Sequence, residues 1–372
     1  MFDHVVVGAG SSGCIVAAKL AERGHRVLLL EAGPGADEAP ETLAADGYKD
    51  AFINDEIIWE RFSEPQPHLN DGRVFMGSGS VVGGSGAVNG MVYTRGAKED
   101  YAEWPEGWRW DDVVPHFEAL EKQLSIHRRA PTEWTRACVA GAVSRGFEER
   151  EDLNDGQLSN AIGYEWMSYA GDRRRSSYVA FVRDRWDALS ANLTIETRAK
   201  LLRIGFDGRR ATTIRYRQGE AEHEAAVAGE VILCAGALET PKLLMLSGVG
   251  PGGHLREHGI EVVVDVPSLG ENLHDHPNVP VFFRCKTKVD CKYPQLYSFF
   301  RTHPEVPLPP AQSDTCYVFW PAPSAMKEAV QRMLPAQVLP PKLYHSPFKQ
   351  AIRGGVELAF KSGRVRDLVD HL

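Results

Sequence analysis

The apolar run over residues 2–7 opens into Gly8-Ala9-Gly10-Ser11-Ser12-Gly13, a helical stretch over 14–23 follows, and a second apolar run, Val27-Leu28-Leu29-Leu30, stops at Glu31. Strand, glycine turn, helix, strand and terminal acid fall in order within one βαβ length, the pattern of a dinucleotide cradle. A pyrophosphate approaches a helix N-terminus only where no side chain blocks the backbone N–H groups, and Gly8 and Gly10 remove that obstruction. Gly13 allows the helix to pack close to the strand, and Glu31 is placed to accept hydrogen bonds from an adenosine ribose. A carboxylate there repels a 2′-phosphate, which disfavours NADP. The cofactor-facing set expected in this segment is Gly8, Gly10, Ser11, Ser12, Gly13, Glu31 and Ala32. FAD and NAD carry the same ADP half, so the cradle alone leaves the two open.

A second glycine cluster, Gly77, Gly79, Gly83, Gly84 and Gly86, lets backbone approach a flat ligand or reverse sharply. Small apolar residues interleave with these glycines and Met91-Val92-Tyr93 follows, which favours an ordered, buried turn over a surface linker. Further on, residues 192–197 and 201–204 read as short strands. Residues 229–236 read as a buried strand that ends in a tight turn before a helix, the arrangement at the carboxyl edge of a doubly wound sheet.

Three blocks carry a resemblance to a known family. The first is Gly83-Gly84-Ser85-Gly86-Ala87-Val88-Asn89-Gly90-Met91-Val92-Tyr93, with Arg95-Gly96, Asp100-Tyr101 and Trp104 behind it. The second runs from Gly236-Ala237-Leu238-Glu239-Thr240-Pro241 to Ser247-Gly248-Val249-Gly250-Pro251, and the third is Gly270-Glu271-Asn272-Leu273-His274-Asp275-His276-Pro277. Together with the cradle they resemble the glucose-methanol-choline (GMC) family of FAD-dependent oxidoreductases, with its choline dehydrogenase branch the nearest-looking subgroup. The chain departs from the family's first signature at Ser80, where Arg, Lys, Asn or Cys is usual.

The resemblance implies FAD as cofactor, with Gly83, Ser85, Asn89, Gly90, Met91, Val92, Ala235 and Gly236 joining the cofactor-facing set. It implies hydride transfer from the CH–OH carbon of a small-molecule alcohol to flavin N5, with electrons passing on to oxygen or a quinone-like acceptor. A flavin-bearing lyase on the same scaffold and a non-catalytic fragment are the rival readings. The implied fold is α/β: a doubly wound, Rossmann-like FAD domain over 1–110 and 190–277, interleaved with an incomplete α+β substrate or cap domain over 111–189 and 278–372.

Family members commonly continue past the point matching Leu372, and the resemblance places their catalytic His in that stretch. A positioned base contributes about 10²- to 10⁴-fold to such a reaction. His274, His276 and His345 are the candidates within this sequence; the first two lie in a cofactor-side turn and read as structural hydrogen-bonding groups. No catalytic residue is assigned.

Between residues 110 and 190 the patterns at 113–124 and 176–186 read as helices, with a loop at Asn154-Asp155-Gly156. Residues 279–284 read as a new strand, followed by a proline-rich passage through Pro304, Pro307, Pro309 and Pro310. Residues 340–372 mix apolar and basic positions; they read as a lid or packing helix interrupted at Gly354-Gly355, membrane contact through this basic segment being the alternative.

At 372 residues the chain exceeds the roughly 250 to 300 at which single cores stop growing. A net charge of -8 gives no reason to expect nucleic acid. The sequence shows no basic n-region with a long apolar h-region and no apolar span of membrane length, so a cytoplasmic location is expected. The six cysteines show neither CxxC nor metal spacing and read as reduced thiols, with no metal expected.

Overall fold

The computed structural model describes residues 1–303, 305–309 and 311–372; Pro304 and Pro310 of the proline-rich passage lie outside the described residues. The chain divides into two compact units, Met1–Asn89 with Asp172–Val279, and Gly90–Gly171 with Pro280–Leu372.

The first unit is built on a six-stranded sheet. Its strands are β1 (Phe2–Val7), β2 (Val27–Leu30), β3 (Leu193–Glu196), β4 (Ala199–Asp207), β5 (Arg210–Gln218) and β6 (Ala221–Leu233), in the spatial order β3-β2-β1-β6-β5-β4. Val5 pairs in parallel with Leu28 on one side and with Val231 on the other. Every residue of β2 is buried, which is why it reads as an unbroken apolar run and not as an alternation. β6 changes partner along its length: residues 221–226 pair antiparallel with β5, while residues 227–233 pair in parallel with β1. The parallel layer and the antiparallel meander therefore share one core, in which Val5, Leu28, Leu30, Leu201, Ile204, Ile214 and Leu243 meet.

Helix α1 (Ser11–Glu22) follows β1, the short helix α2 (Ser85–Val88) lies in the second glycine cluster, and α3 (Gly236–Leu246) follows β6. The glycine cluster is buried only at its centre, where Val81, Val82, Gly83 and Gly84 are enclosed, while Gly79 and Gly86 are half-buried and Gly77 is exposed. The expected helix at 176–186 is broken into a wide π-type turn (Tyr178–Val182), a 3₁₀ turn (Arg183–Arg185) and one α-turn (Trp186–Leu189). Residues 179–182 are all buried, and core packing there takes precedence over a regular helical ladder.

The second unit carries a four-stranded sheet in the order Thr315–Phe319, Leu296–Phe300, Ala161–Tyr164, Glu148–Arg150. Its helices include Trp110–Leu124 and Glu133–Val143. Val139 of the latter packs on Ile162 and Leu296.

Two expectations are corrected here. Residues 279–284 form no strand: they take no regular secondary structure, and Val279, Val281, Phe282 and Phe283 are 61% to 79% exposed. Gly354-Gly355 interrupts nothing, because one helix runs through them from Pro347 to Lys361. Ser346 caps that helix with its side chain on Phe348 N, and Pro347 occupies the first turn, where its missing N–H costs nothing. These contributions, with Lys349, Arg353 and Val356 buried along its length, outweigh about 1 kcal/mol per glycine.

Among the described residues, no helix is long and apolar enough to cross a membrane. Among them too, all six cysteines are free thiols and no cluster of His, Cys, Asp or Glu suits a metal ion.

Candidate cofactor site

The turn after β1 needs glycine at two points on steric grounds, Gly8 and Gly13. Gly8 has φ +97°, and a Cβ there would sit 2.6 Å from Cys234 O, just past the end of the neighbouring strand β6. A Cβ on Gly13 would lie 1.9 Å from Gly8 O and 3.2 Å from the Cys234 side chain, so its absence sets the distance between α1 and the sheet. Gly10 differs, since its backbone is extended at φ -80° and a Cβ would meet only Gly84 Cα at 3.9 Å. The space beside Gly10 is open.

That space belongs to a cavity of about 730 Å³ within the first unit. Gly8, Gly10, Ser11, Ser12, Glu31, Ala32, Ser85, Ala235 and Gly236 of the expected set line it. Gly13 and Gly83 stand behind the wall. Gly83 N donates to Ala9 O at 2.7 Å, and Gly84 crosses Gly10 so closely that a Cβ on Gly84 would fall 2.6 Å from Gly10 Cα. The two glycine turns are thus held backbone to backbone. Asn89 ends the first unit, while Gly90, Met91 and Val92 belong to the second. There Met91 is 3% exposed with φ +65°, its carbonyl accepts from Ser168 N, and Val92 pairs with Met167.

The two ends of this cavity have opposite electrostatic character. At α1, Gly10 occupies the N-cap position without any side-chain cap, and the first turn holds no acidic residue. Its N–H groups and the positive end of the helix dipole therefore face the open space. At the end of β2, Glu31 is 6% exposed. Its Oε2 accepts from Ala9 N and its Oε1 from Gly33 N, each at 2.9 Å. Burial pushes the carboxyl up to about 7, although the N–H groups of Gly33, Ala9 and Ala32 act in the opposite sense. The Cys14 thiol donates to Ala9 O at 3.1 Å and is raised mainly by burial, so it remains protonated and inert.

Further lining residues, among them Trp59, Arg61 and Lys200, carry no sequence signal, and Glu239 lies in the second block without a role assigned to it. Arg61 donates to Ser78 Oγ and to Glu239 Oε1, both at 2.9 Å, and its guanidinium lies 4.7 Å from the centre of the Trp59 ring. Lys200 Nζ lies 5.5 Å from the same ring. Burial raises the Glu239 carboxyl, but Lys242 and Arg61 outweigh it and leave the group below its ordinary value. Arg61 and Glu239 are 178 positions apart, so no local pattern announces the pair. Of the three histidines considered, His274 and His276 are both exposed; His274 lines the cavity, with Nδ1 2.9 Å from Asn272 O, and His345 packs edge-on against Tyr344.

The residues present fit a dinucleotide. An uncapped helix start suits a diphosphate, a buried carboxylate suits ribose hydroxyls, and two crossing glycine turns leave room for both.

A family model described as GMC oxidoreductase matches residues 2–278. An oxygen-dependent choline dehydrogenase of Pectobacterium atrosepticum is 34% identical over 326 residues, covering 80% of this chain and 57% of that protein. An alcohol dehydrogenase [acceptor] of Pseudomonas putida is 34% identical over 300 residues, covering 75% and 54%. The chain thus spans about half the length of the curated relatives it matches. Among solved structures, pyridoxine 4-oxidase from Mesorbium loti superposes with a TM-score of 0.74 at 26% identity, over 86% of this chain and 70% of that one.

Proposed function

The chain belongs to the GMC oxidoreductase family, and on that premise we propose that it is an FAD-dependent oxidoreductase acting on the CH–OH group of an alcohol. The observation that carries this reading is the cavity itself, with an uncapped α1 N-terminus and a buried Glu31 bounding the space that a dinucleotide requires.

In this reading Gly8, Gly10, Ser11 and Ser12 bind the diphosphate through backbone N–H groups, while Gly13 keeps α1 against the sheet. Glu31 and Ala32 hold the adenosine ribose. Gly83, Ser85, Asn89, Ala235 and Gly236 shape the cavity beyond the diphosphate, while Gly90, Met91 and Val92 of the second unit are cofactor-facing candidates on the family resemblance alone. The first unit is the cofactor-binding unit and the second serves the substrate. When bound, FAD supplies a two-electron acceptor for the hydride that leaves the alcohol carbon. The chain's own part is to orient that cofactor and exclude water from it. The hydroxyl proton needs a base within hydrogen-bond reach, and no residue of this chain is given that role. Oxygen or a quinone-like acceptor takes the electrons onward. The two relatives, an oxygen-dependent choline dehydrogenase and an alcohol dehydrogenase [acceptor], support that class of partner.

The test is the visible spectrum of the FAD-loaded protein under anaerobic conditions before and after a panel of alcohols that includes choline. Bleaching of the flavin band supports an alcohol oxidoreductase; bound flavin that no alcohol bleaches supports the lyase alternative.

A further inference from the structure

Arg174 is fully buried, at 0% exposure. All its side-chain hydrogen bonds run to one short stretch of chain: Nη1 donates to Gly86 O at 3.2 Å and to Asn89 Oδ1 at 2.8 Å, and Nη2 donates to Asn89 O at 2.7 Å. Among the described residues its Nε has no hydrogen-bond partner and no carboxylate forms an ion pair with it. The backbone that carries it is fixed from the other side, since Arg174 N donates to Leu43 O at 2.9 Å and Ala45 N to Asp172 O at 2.8 Å.

This is a costly arrangement. An ion taken out of water loses several kcal/mol of hydration, and carbonyl and amide dipoles return only part of it. Burial accordingly lowers the guanidinium to about 10, the field of Asp46 acting in the opposite sense, so the charge is still present at neutral pH. A methionine or leucine could fill such a space without the cost, so the charge itself calls for an explanation. Gly84 and Ser85 line the cavity and Gly86 is the next residue, so the cation stands directly behind the cavity wall.

We propose that Arg174 is a positioning residue for the bound cofactor. It clamps the 84–89 wall through three hydrogen bonds and places an unpaired positive charge behind it, so that bound flavin takes up electrons more readily. In a medium of low dielectric a fixed charge acts over several ångströms with little screening, and the negative charge that arrives with the electrons is the species it stabilises. The inference rests on the FAD reading above.

The experiment is the midpoint potential of the FAD-loaded protein by dye equilibration, for wild type, Arg174→Lys, Arg174→Met and Asn89→Asp. Arg174→Lys keeps the charge and should hold the potential near wild type while retaining FAD less firmly. Arg174→Met removes the charge, and Asn89→Asp keeps the acceptor for Nη1 but neutralises the cation. Each should lower the reduced-to-oxidised ratio at a fixed poise about tenfold, or about 30 mV for a two-electron couple. Should Arg174→Met fail to fold, Asn89→Asp decides. A wild-type potential in every variant that binds FAD would overturn the inference alone, as would a fall in Arg174→Lys equal to that in Arg174→Met. A wild-type protein that takes up no FAD would overturn the reading beneath it.

Discussion

Glu31 accepts the N–H of Ala9 at 2.9 Å, so the acid that ends β2 is tied to the turn that follows β1. The pairing gives the carboxylate two environments to satisfy, the peptide N–H groups it already holds and the ribose it is proposed to receive.

The first prediction concerns pH. Burial raises Glu31 from an ordinary 4.5 to about 7, so the folded chain holds this proton more tightly than the unfolded chain does. Its contribution to stability is complete below about pH 4.5 and is lost as the pH rises through about 7, a change of about 3 kcal/mol. Glu31→Gln cannot ionise and should flatten that decline. Denaturant midpoints at about pH 5 and about pH 8 check the sign. The ribose hydroxyls favour the ionised form, so FAD affinity should rise with pH up to about 7 and then level off.

A second prediction separates two glycines that look alike in the sequence. Gly13→Ala forces a Cβ to within 1.9 Å of Gly8 O, against backbone that cannot give way, and should cost about 1–3 kcal/mol or more in thermal or denaturant unfolding. Gly10→Ala meets nothing closer than 3.9 Å and should cost no more than about 1 kcal/mol.

The βαβ cradle was legible because its signals are local: glycine positions, a buried apolar run and a terminal acid all fall within 31 residues. Residues 279–284 misled for the complementary reason. Apolar, β-prone residues describe a strand's preference, but a strand also needs an edge to pair with, and these residues find none. Gly354-Gly355 is a weak spot by local propensity alone, and the cap at Ser346 and the residues buried along the helix carry it through. Arg174 was illegible in kind: nothing in Arg173-Arg174-Arg175 marks the middle residue as the one buried against Asn89.

The third prediction concerns the Arg61 junction. Arg61→Ala removes hydrogen bonds to Ser78 and Glu239 and the contact with Trp59, and should cost about 1–3 kcal/mol in urea unfolding. Arg61→Lys should recover less than half, because an ammonium cannot span both acceptors as the planar guanidinium does.

A fourth concerns the exposed strip. Phe282 and Phe283 are 61% and 74% exposed beside Val281 at 68%. Phe282→Ser and Phe283→Ser together should leave the unfolding free energy within about 0.5 kcal/mol for each and reduce self-association in analytical ultracentrifugation.

The central claim is that the open space beside Gly10 receives the diphosphate of FAD, and FAD binding by isothermal titration to wild type and Gly10→Val tests it most directly. Wild type should bind one FAD per chain, while Gly10→Val, whose added atoms enter the cavity and not the core, should keep its folded circular dichroism spectrum and lose binding at least about a hundredfold, roughly 3 kcal/mol. A folded Gly10→Val protein that binds FAD as tightly as wild type would contradict the account.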